Sequence, residues 1–201
     1  MDYNGGSIII MGGKNCFAIA SDLRFGLDNF TKGQKTPKIF KIHEKLFLGM
    51  IGLFGDISTI RQILEYKTSI YLLKKSERIQ PLGFSNILSN LLYHHRFAPF
   101  LVETVLAGLD EKNRLFIESK DILGAKSATS DFATIGSCSE SLNGICGVFW
   151  KPEMNREDLF KTISSCLILG LNRNCISGWG GIVHLVSIDG VTSKLIQTRM
   201  D

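Results

Sequence analysis

The chain has no run of eighteen apolar residues and no charged, apolar, small-residue leader at its start, so neither a spanning helix nor a secretory signal is expected. These absences predict a soluble protein that stays inside the cell. Its five cysteines (Cys16, Cys138, Cys146, Cys166 and Cys175) form no CxxC pair and stand near no histidine at ligand spacing. An odd count without such spacing predicts reduced, mostly buried thiols, with no disulfide frame, no zinc or other metal site and no cofactor. Repeats, low-complexity stretches and linkers are also missing, so one domain spanning 1–201 is expected. Charge is nearly balanced: the net is +4, and the densest basic run, Lys74-Lys75-Ser76-Glu77-Arg78, is broken by an acid. Nucleic-acid binding is disfavoured.

What remains is an ordinary globular composition, 44% apolar and 21% charged, arranged in readable periods. Ser7 to Met11 and Cys16 to Ala20 are short, β-branched-rich runs around Gly12-Gly13-Lys14-Asn15 and read as a hairpin buried on both faces. Lys38 to Ile42 and Lys45 to Ile51 continue the strands, with a corner at His43-Glu44. From Asp56, the expected N-cap, the period becomes helical: Ile57, Ile60, Ile63, Leu64, Lys67, Ile70 and Tyr71 fall on one face. A second helix follows Pro81 through Phe84, Ile87, Leu88, Leu91, Leu92 and His95, and Pro99 forbids its continuation. Strands return at Val102 to Ala107, Leu115 to Glu118 and Phe132 to Ile135. A short helix through Ser139 to Phe149 and a long one capped by Asn155 come next, before strands at Ile182 to Ile188 and Lys194 to Thr198.

Grouped strands alternating with grouped helices argue for an α+β layered domain and against a βαβ sheet. Several strands are apolar throughout, so both faces of each sheet need cover. A four-layer arrangement with two sheets face to face and helices outside meets that need.

Five stretches in register, Ser21-Asp22, "KIFKI" at 38–42, "GMIGLFGD" at 49–56, "IGSC" at 135–138 and "SGWGG" at 177–181, resemble the proteasome β subunits. Further fragments, "YNGGS", "GKNCFAIASD", "NLLYHHRFAPF", "DLFKTISSC" and the terminal "RMD", extend the resemblance over essentially the whole chain. It implies the αββα sandwich of the N-terminal-nucleophile (Ntn) hydrolases. Active members attack a peptide carbonyl with an N-terminal threonine whose own amine is the base. Carried over, the lysine that tunes that amine falls on Lys38, its aspartate partner on Asp22, the oxyanion-hole glycine on Gly52 and the supporting serines on Ser137 and Ser177. The nucleophile falls on Gly6, which has no hydroxyl. The supporting aspartate falls on Asn174, which has no carboxylate.

The resemblance therefore implies a noncatalytic β subunit of the 20S proteasome core particle, found in cytoplasm and nucleus. Its partners would be other β subunits of its own and the opposite ring, together with α subunits; the cleavage belongs to active neighbours. A start a few residues before Gly6 suits a subunit with no nucleophile to unmask. An α-type subunit fits poorly, because few residues precede Ser7 to build the extra helix of that class. The rival from another class is a hydrolase trimmed to expose Ser7, but a one-residue shift along a strand turns the side chain to the opposite face, away from Asp22 and Lys38.

Several residues have plainer readings. Asp22 and Lys38 fit an ion pair kept for packing, and Gly52 fits close backbone approach. The Gly52-Leu53-Phe54-Gly55 turn lacks the Lys-Ser/Thr of a phosphate loop. Trp150 and Trp179 flank loops and suit packing or subunit contacts, and His94 with His95 suits a helix end. In the family, the segment matching Glu118-Ser119-Lys120-Asp121 lies near the substrate channel of the adjacent subunit. Asp121 is the candidate there, where an acid would favour a basic side chain.

Overall fold

The computed structural model describes residues 4–27 and 29–199. The first half of the chain runs β1 (Ser7–Gly13), β2 (Cys16–Asp22), β3 (Phe25–Leu27), β4 (Phe30–Gly33), β5 (Ile39–His43), β6 (Leu46–Gly52), α1 (Phe54–Lys75) and α2 (Pro81–His94). The second half runs β7 (Val102–Leu109), β8 (Leu115–Lys120), β9 (Lys126–Thr129), β10 (Phe132–Gly136), α3 (Ser139–Phe149), α4 (Arg156–Leu171), β11 (Gly181–Ser187) and β12 (Gly190–Ile196).

Two antiparallel sheets result, ordered β10-β1-β2-β11-β12 and β5-β6-β7-β8-β9, with β3 and β4 forming a separate hairpin. Strand periodicity assigns the faces. Ile8, Ile10, Phe17 and Ile19 point between the sheets, where they meet Phe47, Val105 and Ile117. Ile9, Met11, Ala18 and Ala20 point the other way, against Leu142 of α3 and Leu159, Ile163 and Leu167 of α4. On the far side, Leu46, Leu48 and Met50 pack under Ile60 and Leu64 of α1 and Phe84 and Leu88 of α2. Three apolar layers separate four layers of structure: this is the αββα sandwich.

The helix starts and lengths differ from the sequence reading in instructive ways. α1 begins three residues early, with Leu53 at the N-cap position. Asp56 sits inside the first turn and its Oδ2 accepts the Leu101 N–H at 2.9 Å, so it joins the helix to the approach of β7 instead of capping. The apolar face of α1 is buried less deeply along its length: Ile57, Ile60 and Leu64 are buried, while Ile63, Ile70 and Tyr71 are half-buried, and Ile63 and Tyr71 pack against the same core. α2 carries Pro81 at its first turn, as a missing N–H allows, and ends at His94, well before Pro99. Asn155 does occupy the N-cap of α4, yet its side chain makes no cap bond. The short strands β3, β4 and β9 carry too little apolar alternation to be read from sequence.

At the β5–β6 corner, His43 Nδ1 accepts the Lys45 N–H at 3.2 Å, which leaves the proton on Nε2 to donate to the Ile79 carbonyl at 3.1 Å. Burial pushes this imidazole below its ordinary value; the Ile79 bond and Glu44 oppose that, while Arg78 and Lys45 reinforce it. The unfolded chain therefore binds the proton more readily, and His43 costs stability as pH falls through about 6.5 towards the folded value. His184, also held down by burial, adds to the same trend. Urea midpoints of the purified chain should drop between pH 7 and pH 5, and by less in His43→Gln; equal drops would contradict the assignment of part of the loss to His43.

Candidate functional site

β1 enters its sheet through Gly5 and Gly6, and both glycines are enclosed. A Cβ on Gly5 would lie 2.3 Å from the Ile176 carbonyl oxygen, and one on Gly6 would lie 2.7 Å from Lys38 Nζ and 2.8 Å from its Cε. At Gly5 the obstacle is backbone, which cannot yield; at Gly6 it is the tip of a flexible lysine, which would have to shift to admit a side chain. The position expected to hold a nucleophile has no hydroxyl and is bordered by the Lys38 ammonium.

Lys38 is held there by Asp22. The Nζ lies 2.5 Å from Asp22 Oδ1, and both side chains are almost wholly shut off from water. The same oxygen accepts the Ser7 N–H at 2.9 Å, and Oδ2 accepts the Gly178 N–H at 3.3 Å. Burial lowers the Lys38 pKa, with the Asp22 charge and hydrogen bond opposing it and Arg24 adding to the decrease. One carboxylate therefore joins the start of β1, the end of β2, the segment before β5 and the loop before β11.

Around the other side of Gly6 runs a polar chain. Ser137 donates its N–H to the Gly6 carbonyl at 2.9 Å and its hydroxyl to the same oxygen at 3.1 Å. Ser137 Oγ in turn accepts from Asn174 Nδ2 at 2.7 Å and lies 3.4 Å from Gly6 N, while Asn174 Oδ1 accepts the Ile176 N–H at 3.2 Å. Gly6 N is an amide in an intact peptide. Asn174 donates through its nitrogen and accepts through its oxygen, where a carboxylate could only accept.

Ser7 faces away, as the strand period requires. Its hydroxyl is fully buried and lies 2.6 Å from Cys138 Sγ, on the helix side of the sheet. Cys138 was not singled out from the sequence, where it looks like any small apolar residue. Burial raises its pKa, and the Ser7, Asn174 and Ser177 side chains only partly offset that. Ser177 Oγ is buried near this thiol without reaching hydrogen-bond geometry. Arg24 was likewise missed: almost completely buried, it donates to Thr31 Oγ1 at 3.0 Å and to the Ile176 carbonyl at 2.9 Å, tying the β3–β4 hairpin to the same loop.

Gly6, Asp22, Lys38, Ser137, Asn174 and Ser177 are therefore brought together. Gly52 sits at the end of β6 with φ +142°, and a Cβ there would stand 2.0 Å from the Leu101 carbonyl oxygen; backbone approach alone demands glycine. Asp121 lies apart, exposed in the turn after β8, where Oδ1 accepts the N–H groups of Leu123 (3.0 Å) and Ala125 (2.7 Å). The strand before it runs to Lys120, and Glu118 and Lys120 are buried, not part of a loop. Trp150 packs on Phe132 and donates to the Gly12 carbonyl at 3.0 Å. The terminal Met200-Asp201 lies outside the described residues.

A fold of this type with the Asp-Lys pair beside the first strand defines a class, and comparison with known proteins agrees. The family model described as proteasome subunit matches residues 3–186. The chain belongs to the proteasome subunit family. It is 42% identical over 202 residues to the proteasome subunit beta type-3 of Dictyostelium discoideum, covering all of this chain and 98% of that protein. The beta type-3 subunit of Oryza sativa subsp. japonica is 44% identical over 200 residues, with 100% and 98% covered. That of Drosophila melanogaster is 39% identical over 200 residues, with 99% and 98% covered.

Because Asp22 satisfies three donors, removing it should hurt more than removing the lysine. Asp22→Ala strands a buried ammonium and two N–H groups and should cost about 3–5 kcal/mol. Lys38→Met leaves the carboxylate its two backbone donors and should cost clearly less. Denaturant unfolding of both variants checks the order, and a reversed order would contradict the assigned hub.

Proposed function

We propose that the chain is a noncatalytic, structural β subunit of a proteasome core particle, with residues 1–201 forming one β-type domain. The observation that carries this is Gly6: the position matching the family's nucleophile has no hydroxyl, although the Lys38 ammonium stands beside it. Threonine-type attack requires a hydroxyl and a free amine at one residue, and a glycine at position 6 cannot supply the hydroxyl. Asn174 and the Cys138 thiol, held in its protonated form, add nothing that replaces them. Proteolysis then belongs to neighbouring subunits, and this chain contributes walls and contacts.

Its surface supports an assembled life. Phe97 (88% exposed), Leu73 (82%), Val148 (77%) and Leu195 (76%) stand on helices, loops and an edge strand in several directions. Large apolar groups distributed in this way suit a subunit with partners on several sides, as a closed ring requires. Those partners are β subunits of the same and the opposite ring and α subunits, in cytoplasm and nucleus. No helix among the described residues is long and apolar enough to cross a membrane.

Asp121 carries a second reading within the same function. It borders an open cavity of about 600 Å³ lined also by Glu103, Leu123 and Ile135. An acid beside such a space favours a basic side chain from a substrate bound next door, so Asp121→Asn in the assembled particle should raise KM severalfold for peptides cleaved after basic residues only.

Treating the purified particle with a peptide vinyl sulfone and weighing each subunit tests the silent site. Adducts should appear on neighbours and not on this chain. A Ser7 adduct on a chain shortened by six residues would establish the trimmed serine hydrolase instead.

A further inference from the structure

The turn that carries Asp121 is fastened to α2 at three places. Lys120, the last residue of β8, sends its side chain beneath α2, where Nζ pairs with Glu118 Oε1 and donates to Ser85 Oγ at 2.8 Å. Ser85 Oγ donates in turn to the same Glu118 oxygen at 2.5 Å. Glu118 and Lys120 are two apart on one strand, so both reach the same face, and both are 3% exposed. Farther round the turn, Gly124 adopts φ +85° against the helix. A Cβ there would stand 2.9 Å from the Ser89 carbonyl oxygen and 3.1 Å from Leu92 Cβ. Just past the turn, Lys126 Nζ donates to Asn86 Oδ1.

Ser89 lies four and three residues after the adjacent Ser85 and Asn86, so the three share one side of α2. Between the outer anchors, the turn closes on itself: Asp121 Oδ1 takes the Leu123 and Ala125 N–H groups, and the Asp121 carbonyl takes the Gly124 N–H at 3.1 Å. The first anchor is ionic and buried. Such a pair adds little net stability, but it tolerates only the geometry in which every charge and hydroxyl is paired. Burial lowers the Lys120 pKa while the Glu118 hydrogen bond and charge oppose it, and the ammonium has nowhere else to go without losing those partners. The residue next in the chain is Asp121.

We propose that Ser85 and Lys120 are positioning residues, clamping the β8–β9 turn to α2 and so fixing where the Asp121 carboxylate stands beside a basic substrate side chain. The proposal rests on the reading of Asp121 given above. It makes α2 the reference against which the acid is placed.

The test uses the assembled particle carrying Ser85→Ala, with Ser85→Thr to restore the hydroxyl and Asp121→Asn as a control for the reading itself. Amide hydrogen exchange at Leu123 and Ala125 should quicken about tenfold in Ser85→Ala, as loss of a hydrogen bond to a charged group implies. KM for a peptide cleaved after a basic residue should rise severalfold, with kcat and cleavage after acidic residues unchanged, and Ser85→Thr should return both readouts towards normal. Unchanged exchange and KM in Ser85→Ala, while Asp121→Asn raises KM, would overturn the clamp and leave the recognition reading intact. If Asp121→Asn has no effect on KM, the recognition reading falls, and exchange alone decides: faster exchange upholds the clamp and unchanged exchange overturns it.

Discussion

The Asp22 carboxylate is the point on which the vestigial site depends. It lies at the end of β2, accepts the first N–H of β1 and an N–H from the loop before β11, and pairs with a lysine from the segment leading into the second sheet. A buried carboxylate cannot be left half satisfied, so these four segments must arrive together. In an active Ntn hydrolase that same convergence would present an amine and a hydroxyl. Here it presents a glycine with a lysine against it. On the proposed reading, the surroundings of the site serve as architecture in the absence of a reacting hydroxyl.

Each residue at a position expected for catalysis also has a structural task. Gly52 has no alternative, because any side chain would strike the Leu101 carbonyl. Ser137 and Asn174 spend their polar atoms holding the Gly6 carbonyl and the Ile176 amide, which keeps the strand entrance closed. Cys138 fills the helix side of the sheet and takes the Ser7 hydroxyl. Each group has a structural role that needs no reaction, so the site stays ordered without a nucleophile.

Much of the fold was legible because the two long apolar hairpins and the helical spacings of α2 and α4 follow burial directly. Strands buried on both faces, such as β1 and β2, leave continuous apolar runs, and those runs implied four layers. Capping was less legible. Asp56 looks like an N-cap by residue type, but its carboxylate answers a long-range demand from Leu101, and the helix starts earlier without it. The predicted face of α1 continues past Leu64 because spacing records amphipathicity, not how deeply it is covered; Tyr71 still packs on the core, but only half-buried. Gly6, Asp22, Lys38 and Asn174 were legible only through resemblance, since no local period marks them. Cys138, Arg24 and the Ser85–Glu118–Lys120 cluster were invisible for a different reason: their meaning lies in contacts across 33 to 152 residues of chain.

As proposed, this chain works as an uncleaved, silent member of a larger ring assembly. The decisive measurement is native mass spectrometry of the endogenous tagged chain, with subunits released and weighed and the N-terminus read. Recovery is expected in a large multi-subunit particle, with the residues before Gly6 still attached apart from ordinary methionine removal. A small assembly whose chain begins at Ser7 would contradict it and return the nucleophile to this subunit.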